Sequence, residues 1–109
     1  AIDDIRQRLQ RATQAPEPPH GMLRCATRVQ GLWGQPVRLH FAAQDVAYVF
    51  ILPDQLFELQ PALLAADASG RCAGEFVFPV DDGSITFTLQ QRSGEVLRHI
   101  VRSAVEGMA

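Results

Sequence analysis

The second half of the chain, residues 56–109, constrains the fold most strongly because its apolar pattern changes period twice. An apolar segment runs to residue 67, and two strand-like runs at 75–80 and 85–90 flank an Asp-Asp-Gly turn. An Asp-Gly pair favours a tight hairpin turn. The apolar residues of 96–105 then recur in adjacent pairs spaced four apart, which is typical of an amphipathic helix. The pattern therefore predicts helix, β-hairpin, helix.

The first half of the chain predicts one more helix and three strands. Apolar residues at 2, 5, 9 and 12 indicate an amphipathic helix over 1–14, and the Pro-rich connector 15–20 ends it. Alternation with period two predicts strands in 23–29 and 37–41, and the continuous apolar run 46–52 predicts a strand covered on both faces. Asp54 is a candidate N-cap for the middle helix, which Gly70 would end.

The predicted fold is a single α+β domain over residues 1–109. Its order is helix, three strands, helix, two strands, helix, with a five-stranded, mainly antiparallel sheet. Residues 1–14 are the N-terminal helix, 15–20 the connector, and 21–109 the sheet and two helices. A chain of this length suits one domain.

The composition limits the classes of partner. The net charge of −2 argues against a nucleic-acid role, and no apolar run approaches the roughly 20 residues that span a bilayer. We therefore expect no nucleic-acid partner, no membrane partner and a cytoplasmic location. Every basic residue apart from the histidines is Arg, and neither Lys nor Asn occurs, which is typical of a GC-rich bacterial coding sequence. Cys25 and Cys72 are expected to be buried free thiols.

The polar residues suggest neither catalysis nor metal binding. The three histidines and two cysteines are spread over the chain without the close ligand pairs that zinc sites use. Asp81 and Asp82 suit a solvated turn better than a catalytic pair. No serine lies in a nucleophile-elbow motif, and no Gly-rich phosphate loop is present. We therefore expect no enzymatic activity, no catalytic or metal site and no cofactor.

Two stretches carry a resemblance to a known family. The sequence ALLAAD at 62–67 is similar to the leucine pair of the class I type III secretion chaperones, the Tir chaperone family, although Asp67 stands where Asn is usual. The sequence FVFPVDDGSITFTL at 76–89 is similar to the next two strands of that family, and the predicted element order resembles its order. The resemblance implies a homodimeric chaperone of a virulence secretion system. Such a chaperone holds an extended segment of a secreted effector in a non-globular state.

The partner-binding and dimer-interface residues are expected in two separate places. A partner segment is predicted to lie along the first helix and first strands, at Ile5, Leu9, Trp33, Leu39 and Phe41. Trp33 is alternatively a plug for the end of the sheet, and the first helix alternatively docks on its own sheet. In the resembled family the middle helix and the following strand form the subunit interface. This likeness implies a dimer interface at Leu56, Phe57, Leu59, Leu63 and Phe76.

Two other functions remain open at the level of the sequence. The apolar run 46–52 could line a cavity of a small-molecule-binding α+β domain. The chain could equally be a regulatory module that sequesters another protein. For the partner groove, the sequence predicts that Ile5→Asp combined with Leu9→Asp abolishes partner capture and leaves the fold intact.

Overall fold

The protein, described here by a computed structural model over residues 1–54 and 60–107, has a mainly β fold. Within those residues the structure contains one helix and eight strands. They are, in chain order, α1 (Ile2–Arg11), β1 (Leu23–Arg24), β2 (Arg28–Gly31), β3 (Pro36–Ala43), β4 (Val46–Asp54), β5 (Ala62–Ala65), β6 (Cys72–Pro79), β7 (Ser84–Gln91) and β8 (Val96–Val105).

The strands form two sheets. The first has three strands in the order β1-β3-β6, and every pair in it is antiparallel. The second has five strands in the order β2-β8-β7-β4-β5, in which only the β2–β8 pair is parallel. The long strands β4, β7 and β8 are rich in β-branched and aromatic residues, which favour a pleated, half-buried surface.

The core lies where the two sheets pack face to face. The ring of Phe41 in β3 meets that of Phe87 in β7 edge-on, with centroids 5.2 Å apart. Side chains from both sheets form one buried cluster, whose largest members are Leu39, Phe41, Ile51, Phe78, Ile85, Phe87, Leu89 and Leu97. We call the sheet surfaces that face this cluster the inner faces and the opposite surfaces the outer faces.

Helix α1 covers part of the outer face of the five-stranded sheet. It contacts β4 and β7, and the guanidinium of Arg8 donates a hydrogen bond to the side-chain oxygen of Gln90 at 3.0 Å. Leu9 is its one buried residue, with 1% of its surface exposed. Phe50 is equally buried and, like Leu9, lies outside the inner-face cluster. No helix in the described part of the chain is long and apolar enough to span a bilayer.

The prediction of a C-terminal helix is wrong, because residues 96–105 form β8. This strand pairs with β7 from Val96 to Arg102. Leu97 and Val101 lie on its inner face and are buried, whereas Val96 and Ile100 lie on its outer face and are half-buried. Apolar residues on both faces of a strand produce adjacent pairs, and here the pairs happen to recur every four residues. The apparent helical period therefore arises because apolar residues lie on both faces of this strand.

The predicted middle helix, in the part of it that the structure describes, and the predicted hairpin are also wrong. Strand β4 continues to Asp54, where the helix was expected to begin, and the Ala-Leu-Leu-Ala segment of β5 pairs with β4 instead of forming a helical turn. The predicted hairpin strands belong to different sheets, because β6 pairs with β3 and β7 pairs with β4 and β8. The turn at Asp81 to Gly83 therefore carries the chain from one sheet to the other. The resulting architecture replaces the five-stranded α+β sheet predicted from the sequence.

Candidate functional site

The strand β6 forms an open edge of the three-stranded sheet. It pairs with β3 along all eight of its residues, from Cys72 opposite Ala43 to Pro79 opposite Pro36. No other described strand pairs with its second side. An unpaired strand of this length presents a row of backbone donors and acceptors to which another chain can add.

The hydrogen-bond pattern shows which backbone groups of β6 point away from β3. Just beyond the ladder, the N–H of Val80 donates to the carbonyl oxygen of Gln35 at 3.0 Å. Bonded and non-bonded pairs alternate along an antiparallel ladder, and only the bonded pairs use their N–H and C=O groups between the two strands. Val80 is thus in a bonded pair, and so are the alternate residues 78, 76, 74 and 72 of β6. The N–H and C=O groups of the residues between them, Ala73, Glu75 and Val77, point away from β3.

A cleft lies beside this edge, where β5 and β6 separate. The N–H of Asp67 donates to the carbonyl of Arg71 at 2.9 Å, so the chain enters and leaves the connecting turn as neighbouring segments. Strand β5 then joins β4 while β6 joins β3, and the two diverge. The resulting cleft has a volume of about 500 Å³ and is lined by residues 64–67 and 71–73.

The turn at the closed end of the cleft is held by the carboxylate of Asp67. Its Oδ1 accepts hydrogen bonds from the Ser69 hydroxyl at 2.6 Å and from the backbone N–H groups of Ser69 and Arg71 at 2.9 and 3.0 Å. These bonds, that of the Ser69 hydroxyl first, lower the pKa of the Asp67 carboxyl below its ordinary value. Gly70 has a φ of 85° in this turn, a conformation that glycine adopts without strain. The separation of β5 from β6 thus begins at a fixed point.

The side chains of β6 differ between its two faces. On the inner face, Phe76 stacks against Phe78 with ring centroids 6.0 Å apart. On the outer face, Val77 exposes 48% of its surface, and Glu75 forms an ion pair with Arg38 of β3. The acidic residue of this edge is therefore neutralised by its neighbour. Charged edge residues normally oppose the addition of a strand, and that opposition is reduced here.

The thiols near these strands are poor nucleophiles. Cys25 and Cys72 are both free. Burial raises the pKa of Cys72, which lines the cleft, and raises the pKa of Cys25 to about 11. The thiolate is the reactive form of cysteine, so neither site has the depressed pKa of a catalytic thiol. Within residues 1–54 and 60–107, no group of three or more His, Cys, Asp and Glu side chains is placed to hold a metal ion.

The raised pKa of Cys25 predicts a shifted pH profile for alkylation. Iodoacetamide labelling of Cys25 in the folded protein should reach half of its maximal rate near pH 11, whereas in the urea-unfolded chain it should do so near pH 9. Because the folded-state pKa is the higher one, its contribution to stability is complete below about pH 8.5 and is lost as the pH rises toward 11. Peptide mass spectrometry after timed quenching measures the rates. Coincident profiles for the folded and unfolded chains would contradict the prediction.

The structure distributes the predicted partner-binding residues over different surfaces. Leu39 and Phe41 are 3% and 4% exposed and lie in the core between the sheets. Leu9 of α1 is buried between the helix and the outer face of the five-stranded sheet, and Ile5 of the same helix is half-buried. Trp33 is 54% exposed in the connection between β2 and β3, so it is not a buried plug. These residues do not form one continuous groove.

The predicted dimer-interface residues are only partly described. Leu63 lies on β5 of the five-stranded sheet and Phe76 on β6 of the three-stranded sheet; both are half-buried, and neither lines the cleft. Leu56, Phe57 and Leu59 lie outside the described residues. The sequence predicts a strand at 75–80, and of its residues only Phe76 was expected to contact another chain. The outward-facing positions 73, 75 and 77 were missed, because only the sheet order shows that this strand is an edge.

None of the protein-family models matches the chain, and no curated protein matches it.

Proposed function

We propose that the protein is a non-enzymatic binding domain that takes up an extended segment of a partner protein as an added strand along β6. The observation that carries this proposal is the eight-residue edge of β6, which has three outward-facing backbone positions beside a cleft. This proposal keeps the extended-segment binding that the resemblance to secretion chaperones implied. That the segment belongs to a secreted effector stays a prediction.

The physical basis is strand addition. Each outward-facing residue exchanges an N–H and a C=O bond with the added strand, which gives at most about six hydrogen bonds. A net hydrogen bond contributes about 1 kcal/mol, and ordering a flexible segment costs several kcal/mol. Main-chain bonds alone therefore bind weakly, so affinity and register depend on side chains that enter the cleft. Leu64 and Cys72 give its lining an apolar part, and Asp67 and Arg71 give it a charged part, so a segment that carries both apolar and charged residues suits it.

A second copy of the chain is another possible occupant of the same edge. An antiparallel β6–β6 pairing centred on Glu75 places two carboxylates directly opposite each other, which is destabilising. Centred on Phe76, the pairing places two phenyl rings together instead and sets each Glu75 opposite Val77 of the other copy. Homodimerisation, predicted from the sequence, therefore remains a proposal for this edge. Light scattering at micromolar concentration tests it.

Replacing Val77 with Pro should prevent strand addition without disturbing the sheet. The Val77 N–H points away from β3, so proline removes no bond of the ladder, whereas its ring blocks the incoming strand. Peptides selected on the parent protein from a displayed library of random dodecapeptides should bind Val77→Pro at least tenfold more weakly, as measured by fluorescence anisotropy.

The matched control is Val77→Thr, which keeps the N–H and the β-branched shape and should bind like the parent. Hydrogen exchange provides a second measurement, because peptide binding should protect the amides of residues 73, 75 and 77. Selected peptides that bind Val77→Pro and the parent equally, or that protect other amides instead, would overturn the proposal. A library that yields no peptide able to discriminate the parent from Val77→Pro would overturn it as well.

A further inference from the structure

Two arginines lie side by side on the five-stranded sheet. Arg28 of β2 and Arg102 of β8 are register partners in the parallel ladder, so their side chains project from the same face of neighbouring strands about 4.8 Å apart. Like charges directly opposite each other destabilise a sheet. Neither guanidinium forms an ion pair with any described residue.

The two arginines also line a concave site at the end of the sheet. A cleft of about 450 Å³ lies between β2, the end of β8 and the turn that precedes β7. Its lining residues are Thr27, Arg28, Asp82, Gly83, Arg102, Ser103 and Ala104. The ladder fixes the backbones of the two arginines side by side. Within it, the N–H of Arg102 donates to the carbonyl of Thr27 at 3.0 Å.

One acidic side chain, Asp82, lies at the same cleft and is held by the backbone. Its Oδ1 accepts a hydrogen bond from the N–H of Val105 at 3.3 Å, and it forms no ion pair with either arginine. Its charge lowers the affinity of the cleft for any anion. The cleft nevertheless keeps a net charge of about +1 at neutral pH, from two guanidiniums and one carboxylate.

We propose that this cleft binds a phosphoryl group between Arg28 and Arg102. A guanidinium presents a planar fork of N–H donors that matches the oxygens of phosphate. Two neighbouring forks suit a group with three terminal oxygens better than a carboxylate, which has only two. A phosphate monoester carries nearly two charges at neutral pH, and its three terminal oxygens can accept hydrogen bonds from both forks and from the Thr27 hydroxyl.

The first experiment titrates the protein with inorganic phosphate and follows binding by two-dimensional amide NMR. Sodium chloride at equal ionic strength controls for screening, which weakens exposed charge interactions. Phosphate should shift the amide signals of residues 27–28 and 102–104, and Arg102→Gln should weaken binding at least tenfold. Arg24→Gln, which removes an exposed arginine on the other sheet, is the matched control and should bind like the parent.

Thermal unfolding separates a binding role from a structural one. Without phosphate, Arg102→Gln should melt no lower than the parent, because it removes a like-charge contact. With phosphate, the melting temperature of the parent should rise and that of Arg102→Gln should not. Asp82→Asn keeps an oxygen that accepts from Val105 and removes the negative charge, so it should bind phosphate more tightly than the parent.

Two peptides distinguish the sources of the phosphoryl group. If a phosphoserine peptide binds more tightly than inorganic phosphate and its unphosphorylated form does not bind, the ligand is a modified protein segment. If the phosphoserine peptide and inorganic phosphate bind with equal affinity, the ligand is free phosphate. Equal phosphate affinity in the parent, Arg102→Gln and Arg24→Gln would overturn the proposal. The site lies on the other sheet from β6, so Val77→Pro should leave phosphate binding unchanged and the two proposals can fail separately.

Discussion

Replacing Phe87 with Ala should lower the free energy of unfolding by about 3–5 kcal/mol. Phe87 is fully buried in β7, at the centre of the five-stranded sheet, and meets Phe41 of the opposite sheet edge-on. The substitution removes a whole ring from the layer between the sheets. Because β7 is paired on both sides, the strand cannot move to fill the cavity. Urea denaturation followed by circular dichroism measures the loss.

Two control substitutions test whether the loss of stability comes from the missing ring. Phe87→Leu keeps most of the apolar volume and should cost about 1 kcal/mol. Val77→Ala, at a residue that is 48% exposed, should cost less than about 1 kcal/mol. If Phe87→Ala destabilises the protein no more than Val77→Ala does, the two sheets do not pack through this ring.

The sequence predicted individual strands better than it predicted their partners. Alternation and apolar character correctly located β3, β4, β6 and β7, because these patterns depend on local faces of the chain. The assignment failed at β8, where apolar residues on the two faces recur in pairs every four residues and mimic a helical period. It failed again at β5, where Ala and Leu favour a helix and pairing with β4 overrides that preference.

The candidate sites depend on contacts that the sequence does not display. The Asp82-Gly83 pair suggested a hairpin, which would have given β6 a strand partner on that side. Only the crossing of the chain to the second sheet leaves β6 at an edge. Likewise, Arg28 and Arg102 are far apart in sequence, and the parallel pairing of β2 with β8 brings them together. Local pattern therefore predicted side-chain burial in part but predicted neither site.

Helix α1 carries the apolar stripe that, from the sequence alone, predicts a partner-binding groove. In the structure, Leu9 is 1% exposed, so it already fills a place on the outer face of its own sheet. The earlier expectation that Leu9→Asp leaves the fold intact is therefore withdrawn, because a carboxylate buried there without a partner is costly. Leu9→Ala should lower the free energy of unfolding by about 2–3 kcal/mol.

The loss should be accompanied by melting of the helix itself. A ten-residue helix is marginal in water without tertiary packing, so weaker docking of α1 reduces the helical circular dichroism signal before the sheets unfold. Ile2→Ala is the matched control, since Ile2 lies in the same helix and is 65% exposed; it should change stability by less than about 0.5 kcal/mol. Leu9→Ala should also leave peptide binding at β6 unchanged, because α1 and β6 contact different sheets. If Leu9→Ala instead keeps the parent's stability and loses peptide binding, the segment binds along α1 and the assignment to the β6 edge is wrong.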